Sequence, residues 1–84
     1  MAKKPVKKYD YKPYPKHDGL RSGCKVSWYY YKDRADADAA AIVARHNALI
    51  QQELGYDFGY CWPGSVHPAH ENSKHAGLWE VCIP

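Results

Sequence analysis

Residues 33–55, DRADADAAAIVARHNALIQQELG, decide the fold of this chain. Asp33 is a good N-cap residue, because its carboxylate can accept a hydrogen bond from a free backbone N–H group. Asp36 and Asp38 place negative charge at the positive end of the helix dipole. Strong helix formers follow, and Gly55 stands where a left-handed residue commonly ends a helix. The pattern predicts one helix of about five turns.

The apolar residues of this helix predict which of its faces packs on the protein. Mostly apolar side chains recur at three- and four-residue spacing, so they share one face. They are Ala39, Ile42, Val43, His46, Leu49, Ile50 and Leu54. A second, smooth surface beside Arg45 consists of Ala37, Ala40, Ala41, Ala44 and Ala48. Helix propensity explains these alanines, and close packing against a partner or a second copy of the chain is the alternative.

A strand is predicted on the N-terminal side of the helix. Residues 25–32, KVSWYYYK, are rich in β-branched and aromatic residues, and their side chains alternate between two faces. Trp28 and Tyr30 share one face, which we expect to be the core face. Tyr29 and Tyr31 then lie on the opposite face.

Two further strands are predicted after the helix. Residues 56–62, YDFGYCW, alternate until Pro63 and Gly64 end the run, and residues 78–83, LWEVCI, alternate again. The polar residues 65–77 between them are expected to form a long loop. The order is β-α-β-β, and a helix between two strands usually leaves them parallel. We therefore expect a small α+β sandwich, a three-stranded mixed sheet with one long helix across one face.

The first 23 residues differ in composition from the rest. Residues 1–21 hold seven Lys and Arg against two Asp, whereas the remainder holds five Lys and Arg against seven acidic residues. Three prolines disfavour a helix there and favour extended backbone. The chain is therefore divided into an extended basic arm, residues 1–23, and a compact α+β domain, residues 24–84.

Lysines and tyrosines alternate along the arm, a mixture that can hold phosphates and stack on unpaired bases. A solvated tail whose lysines only aid solubility is the simpler interpretation. The residues expected to bind nucleic acid or a partner are Lys3, Lys4, Lys7, Lys8, Tyr9, Tyr11, Lys12, Tyr14, Lys16, Arg21, Tyr29, Tyr31 and Arg45.

A metal site is the alternative use of the cysteine and histidine residues after the helix. Cys61, His67, His70 and His75 offer the sulfur and nitrogen ligands that zinc takes in a tetrahedron. Their spacing lacks the paired C-x2-C of most zinc sites, so a loop without metal is the default and no cofactor is expected. His46 is expected at the edge of the core, with one ring nitrogen bonded to backbone or water.

The sequence favours a binding protein over an enzyme. It has no phosphate-binding glycine loop, zinc-protease motif or nucleophile elbow. Its three cysteines fit reduced thiols in the cytoplasm, and no run of residues has the length and apolarity of a membrane span.

Two functions remain open at this point. The first is a non-enzymatic module that attaches to nucleic acid or a nucleoprotein complex through its basic arm. The second is a small interaction or inhibitor module that docks on a larger protein assembly and occludes it. In size and style such a module resembles small phage-encoded accessory proteins, anti-CRISPR proteins among them, although no motif carries that comparison. A protein partner and a homodimer are both compatible with the second function.

Overall fold

The computed structural model describes residues 10–84, which form one α-helix and four β-strands. The elements are β1 (Gly19–Ser22), β2 (Ser27–Tyr31), α1 (Arg34–Glu53), β3 (Val66–Pro68) and β4 (Trp79–Ile83). The strands form one sheet in the order β1-β2-β4-β3, and every neighbouring pair is antiparallel. The α+β class is confirmed. The prediction of three strands in a mixed sheet is wrong, because β1 adds an edge strand and β4 lies between β2 and β3.

The helix begins and ends where its sequence predicts. The Asp33 carboxylate accepts a hydrogen bond from the Ala35 N–H at 3.3 Å, and Asp36 lies in the first turn. At the other end Leu54 is the C-cap residue, and Gly55 takes the left-handed conformation with φ 97°. These capping signals depend only on residues near each helix end, so the sequence alone predicts the bounds of α1.

The strand predicted at residues 56–62 is wrong, although its side chains alternate. The Asp57 side chain accepts a hydrogen bond from the Gly59 N–H at 2.9 Å, and Gly59 has φ 67°. An Asx turn followed by a left-handed glycine reverses the chain and prevents extended pairing. The first strand after the helix is instead the short β3, which lies within the predicted loop at residues 65–77.

Residues 19–22 form a strand, although the sequence assigns them to the arm. Gly19 pairs with Tyr30 and Ser22 with Ser27, so β1 and β2 form an antiparallel hairpin. The four residues of β1, GLRS, are too few and too mixed to show the alternation of a strand. Pairing with β2 therefore decides their conformation. The folded body therefore includes part of the region predicted as an extended arm.

The two faces of β2 are the reverse of the prediction. Tyr31 is completely buried in the cluster between sheet and helix, and Tyr29 packs against the same cluster. Their neighbours across β4 are Trp79 and Val81, which lie on the helix side as well. Trp28 and Tyr30 consequently lie on the opposite face of the sheet.

Alanine, and not the larger apolar residues, forms the buried face of α1. The five residues Ala37, Ala40, Ala41, Ala44 and Ala48 are all buried. Ile42 and Leu49, by contrast, are 63% and 59% exposed. Because these side chains are small, the helix lies close to the sheet, and the bulky tyrosines of the sheet fill the space between helix and sheet. Because the protein's own sheet covers this surface, it is not available to a second copy.

The face of the sheet away from α1 is covered in part by the residues that precede β4. His75 stacks on Tyr30 with ring centroids 3.9 Å apart and planes 10° from parallel. Tyr30 is thereby buried, even though it lies on the face that has no helix. Toward the other end of this face, the aromatic and thiol side chains described below surround an open cleft.

Candidate interaction surface

The described part of the predicted arm is attached to the folded body. The Lys12 N–H donates to the side-chain oxygen of Asn47 at 2.9 Å, and the Asn47 amide donates back to the Lys12 carbonyl at 3.1 Å. The ring nitrogen Nε2 of His46 donates to the Asp10 carbonyl at 2.7 Å. Residues 10–12 therefore run along one side of α1, and His46 has the backbone partner that the sequence predicts for it.

Three tyrosines predicted to meet a partner instead hold residues 14–17 on the sheet. The Tyr14 ring meets the Tyr29 ring edge-on at 5.2 Å, and His17 stacks on Tyr29 at 4.0 Å. The Tyr31 hydroxyl donates to the Pro15 carbonyl at 3.0 Å. Burial raises the pKa of Tyr14 and of Tyr31 above the ordinary value. These rings are occupied by contacts within the protein and are not free to stack on bases.

The other predicted binding residues fall into two groups. Lys3, Lys4, Lys7, Lys8 and Tyr9 lie outside the described residues. Tyr11, Lys12, Lys16, Arg21 and Arg45 are exposed. Of these, Lys12 pairs with Asp10 at 3.0 Å, and Arg21 lies 3.7 Å from Glu80. The structure leaves all five side chains accessible, with a carboxylate beside two of the four cations.

A polar cluster occupies the face of the sheet away from the helix. The Tyr30 hydroxyl donates to a Glu80 carboxylate oxygen at 3.0 Å and accepts from Arg21 Nε at 3.0 Å. The Arg21 guanidinium lies 4.0 Å above the centre of the Trp28 ring. Burial is the main cause that raises the pKa of Tyr30. The Tyr30 hydroxyl is thus paired and its ring covered by His75, and the cluster links β1, β2 and β4.

An open cleft lies beside this cluster, between the β1–β2 turn and the turn that follows the helix. It has a volume of about 400 Å³, near the lower end of ligand sites in proteins. Its lining is predominantly apolar. The lining residues are Cys24, Lys25, Val26, Trp28, Phe58, Gly59, Tyr60 and Cys61.

Phe58 is the buried centre of the aromatic side chains around this cleft. Tyr56 and Trp62 meet its ring edge-on, with centroids 4.7 and 5.3 Å away. The Tyr56 hydroxyl donates to the Lys25 carbonyl at 2.9 Å, which fastens the two turns together. Tyr60 lines the cleft and is fully exposed, and Tyr56 and Trp62 are each 42% exposed. We call Tyr56, Tyr60 and Trp62 the aromatic surface.

The sequence predicts no binding role for most of the residues that line the cleft, and of these residues only Cys61 is a candidate, as a zinc ligand. Trp28 and Phe58 were interpreted as ordinary strand residues, and Cys24 and Lys25 were given no role. The signal that could have found the site is the pair of glycines, Gly55 and Gly59, within an aromatic run. Glycine at that spacing indicates a turn, and a turn exposes aromatic side chains that a strand would pack.

The cysteine and histidine residues of the zinc hypothesis have separate surroundings. Cys61 lines the cleft, and His75 stacks on Tyr30. His67 pairs with Glu80 across the edge of the sheet, and the Nδ1 of His70 accepts from the Asn72 N–H. Within residues 10–84, no three His, Cys, Asp or Glu side chains form a group that could hold a metal ion.

The formal charge of the chain is divided unevenly. Residues 10–84 hold eight Lys and Arg against nine Asp and Glu, so the folded body is close to neutral. Lys3, Lys4, Lys7 and Lys8 provide the excess of positive charge, and no acidic residue accompanies them in residues 1–9. Long-range attraction to a polyanion would therefore come from the first nine residues and not from the cleft.

No protein-family model, curated protein or solved structure matches this chain. Within residues 10–84, no helix combines the length and the apolar character needed to cross a membrane.

Proposed function

We propose that the protein is a non-enzymatic docking module that binds another protein through the aromatic surface and the cleft beside it. The observation that supports this proposal is the exposure of Tyr56, Tyr60 and Trp62 around an open apolar cleft. Tyrosine and tryptophan are enriched among the residues that dominate binding energy at protein interfaces. An apolar cleft rimmed by such residues is typical of an interaction site.

Contacts within the protein hold two side chains of the aromatic surface in place before any partner binds. Phe58 is buried and fixes the ring positions of Tyr56 and Trp62 by edge-on contacts. The Tyr56 hydroxyl is already bonded to the Lys25 backbone. Less conformational entropy is lost when a partner binds side chains that are already held in place.

The chemistry of the cleft favours binding over catalysis. Among residues 10–84, its lining contains no histidine or carboxylate, and the one hydroxyl there is that of Tyr60. Cys24 and Cys61 line the cleft, and among residues 10–84 no histidine or carboxylate joins them in the lining to act as a general base. The polar cluster of Tyr30, Arg21 and Glu80 is satisfied internally and buried at its centre.

A peptide selection tests the proposal. A displayed library of random peptides would be selected on the full chain, and the enriched peptides measured on Tyr60→Ala and on Tyr11→Ala. Both tyrosines are exposed and both variants remove the same atoms, but Tyr11 lies far along the chain from the cleft. We expect Tyr60→Ala to weaken binding at least tenfold, as loss of a dominant contact does, and Tyr11→Ala to leave it unchanged. Equal binding by both variants, or no enrichment, contradicts the proposal.

A second function is supported by the uneven charge of the chain, which is positive in residues 1–9 and close to neutral in residues 10–84. We propose that the lysines at positions 3, 4, 7 and 8 attach the module to nucleic acid or to a nucleoprotein complex, while the aromatic surface binds a protein there. Binding to single- and double-stranded oligonucleotides would be measured by anisotropy at low and physiological salt. The fourfold Lys→Gln variant at these positions should lose the salt-dependent binding. Binding that is absent at low salt, or retained by this variant, rules the second function out.

A further inference from the structure

We infer that the cleft takes an apolar or aromatic side chain from a partner segment that carries acidic residues beside it. This inference rests on the proposed function and names the chemistry of the partner. The first ground is the lining, in which Val26, Trp28 and Phe58 offer apolar surface. A volume of about 400 Å³ accommodates one or two side chains but not a packed helix.

The second ground is the charge at the cleft. Lys25 is the one charged residue of the lining, and no carboxylate within residues 10–84 lies within ion-pair distance of its ammonium group. That group lies near Gly59, 3.6 Å from the position a Cβ atom would occupy there. Asp57 is the acidic residue closest in sequence to Gly59. One of its carboxylate oxygens accepts a hydrogen bond from the Gly59 N–H and is not paired with Lys25. An acidic residue on the partner would meet a cation without a counter-ion, whereas a basic residue would be repelled.

The third ground distinguishes a peptide from a nucleotide. One face of the Trp28 ring is covered by the Arg21 guanidinium at 4.0 Å, so that face is not free to stack on a base. The lining offers few polar groups to the edge of a base, and a buried base edge without hydrogen bonds is costly. Tyr56 and Trp62 extend the apolar surface beyond the cleft, over an area that a chain of residues covers better than one base.

The cysteines allow occupancy of the cleft to be measured without a label. Cys24 and Cys61 line the cleft and are exposed, whereas Cys82 is buried. A side chain that enters the cleft should therefore protect two thiols from alkylation by iodoacetamide. Cys82 serves as the internal reference, because burial raises its pKa to about 11 and keeps it in the unreactive thiol form.

Three short peptides test the inference. The first carries Trp between pairs of Glu, the second carries Trp between pairs of Lys, and the third replaces Trp by Ala between pairs of Glu. Alkylation of Cys24 and Cys61 is followed by mass spectrometry, together with the amide NMR shifts of Gly59 and Tyr60. We expect the first peptide to bind at least tenfold more tightly than the second, and the third not to protect the thiols.

Two charge variants provide the matched control. Lys25→Glu should invert the preference between the two Trp peptides, while Lys74→Glu makes the same change at an exposed lysine outside the cleft and should leave the preference intact. Binding of both Trp peptides with equal affinity overturns the acidic preference and leaves the docking module standing. Protection by none of the peptides overturns the inference and the proposed function together. Protection by a short oligothymidine alone assigns the cleft to nucleic acid and overturns both.

Discussion

Asn47 on α1 forms two hydrogen bonds with the backbone of Lys12, accepting from its N–H at 2.9 Å and donating to its carbonyl at 3.1 Å. Asn47 is the one buried polar residue among residues 10–84. Its side chain bonds both backbone groups of Lys12, as a neighbouring β-strand would, and so holds residues 10–12 against the helix. Replacement by Ala should cost about 2 kcal/mol, since each net hydrogen bond contributes about 1 kcal/mol. Urea denaturation measures the loss. Gln52→Ala, at an exposed position on the same helix, is the control and should be nearly neutral.

The close approach of helix and sheet predicts that enlarging an alanine of α1 is destabilising on one side only. Ala44→Leu adds three carbons where the side chain is fully buried and should cost at least 1–3 kcal/mol, the usual penalty of overpacking. Ala39→Leu makes the same change on the exposed face and should alter stability by less than about 0.5 kcal/mol. Thermal unfolding of the two variants tests this. Equal losses would contradict this one-sided packing, and a larger loss for Ala39→Leu would mean that the helix packs through its other face.

Residues 10–22 should be required for folding. They supply β1, and Tyr14 and His17 pack on Tyr29 of the central layer. A chain that begins at Gly23 should lose its cooperative unfolding transition, because it exposes one side of β2 and part of the main cluster. A chain that begins at Asp10 keeps every one of these contacts and should unfold cooperatively. Circular dichroism melts of both chains decide the matter, and a cooperative melt of the shorter chain would contradict the prediction.

The folded protein should lose stability in alkali. Burial raises the pKa of the Cys82 thiol from 9.0 to about 11, so the unfolded chain ionises first and a rise in pH favours unfolding. This contribution is complete below pH 9.0 and is lost as the pH rises toward 11. Burial also raises the pKa values of Tyr30 and Tyr31 above 10.0, so both residues act in the same direction as the pH rises past 10.0.

Urea denaturation between pH 7 and 11, with the thiols kept reduced, tests this pH dependence. Cys82→Ala should lower stability at neutral pH and show a shallower decline between pH 9.0 and 11 than the unmodified protein. Cys24→Ala, at an exposed position, should retain the full decline. A stability that stays constant to pH 11 would contradict the burial of this thiol.

The sequence predicts the parts of this fold that depend on neighbours in the chain. Asp33 and Gly55 define the helix ends through local capping, and β2 and β4 are recognisable from dense aromatic and β-branched residues. The buried side of α1 was predicted incorrectly, because hydropathy ranks Ile42 above Ala44 and takes no account of the space between the layers. That space is set by tyrosines such as Tyr31, which come from a distant part of the chain.

Local sequence indicates the turn at Gly59, whereas the contact of that turn with the β1–β2 turn depends on the whole fold. Cys24 and Lys25 belong to one turn and Phe58 and Tyr60 to another, and only the folding of the hairpin against the end of the helix brings the two turns together. Alternation at residues 56–62 indicated a strand, while the backbone at Gly59 required a turn. A local conflict of this kind, between side-chain pattern and turn chemistry, is common at functional surfaces.

The position of β4 also has a consequence during protein synthesis. Residues 79–83 pair with β2 on one side and with β3 on the other, so they are the strand that joins the two halves of the sheet. A nascent chain that has formed only the hairpin and the helix has no partner for the inner edge of β2, whose backbone hydrogen-bonding groups remain unpaired. Closure of the sheet must await translation of residues 79–83, and the long loop it closes makes this the slow step. Until then the exposed edge of β2 is the place where a nascent chain would aggregate or recruit a chaperone.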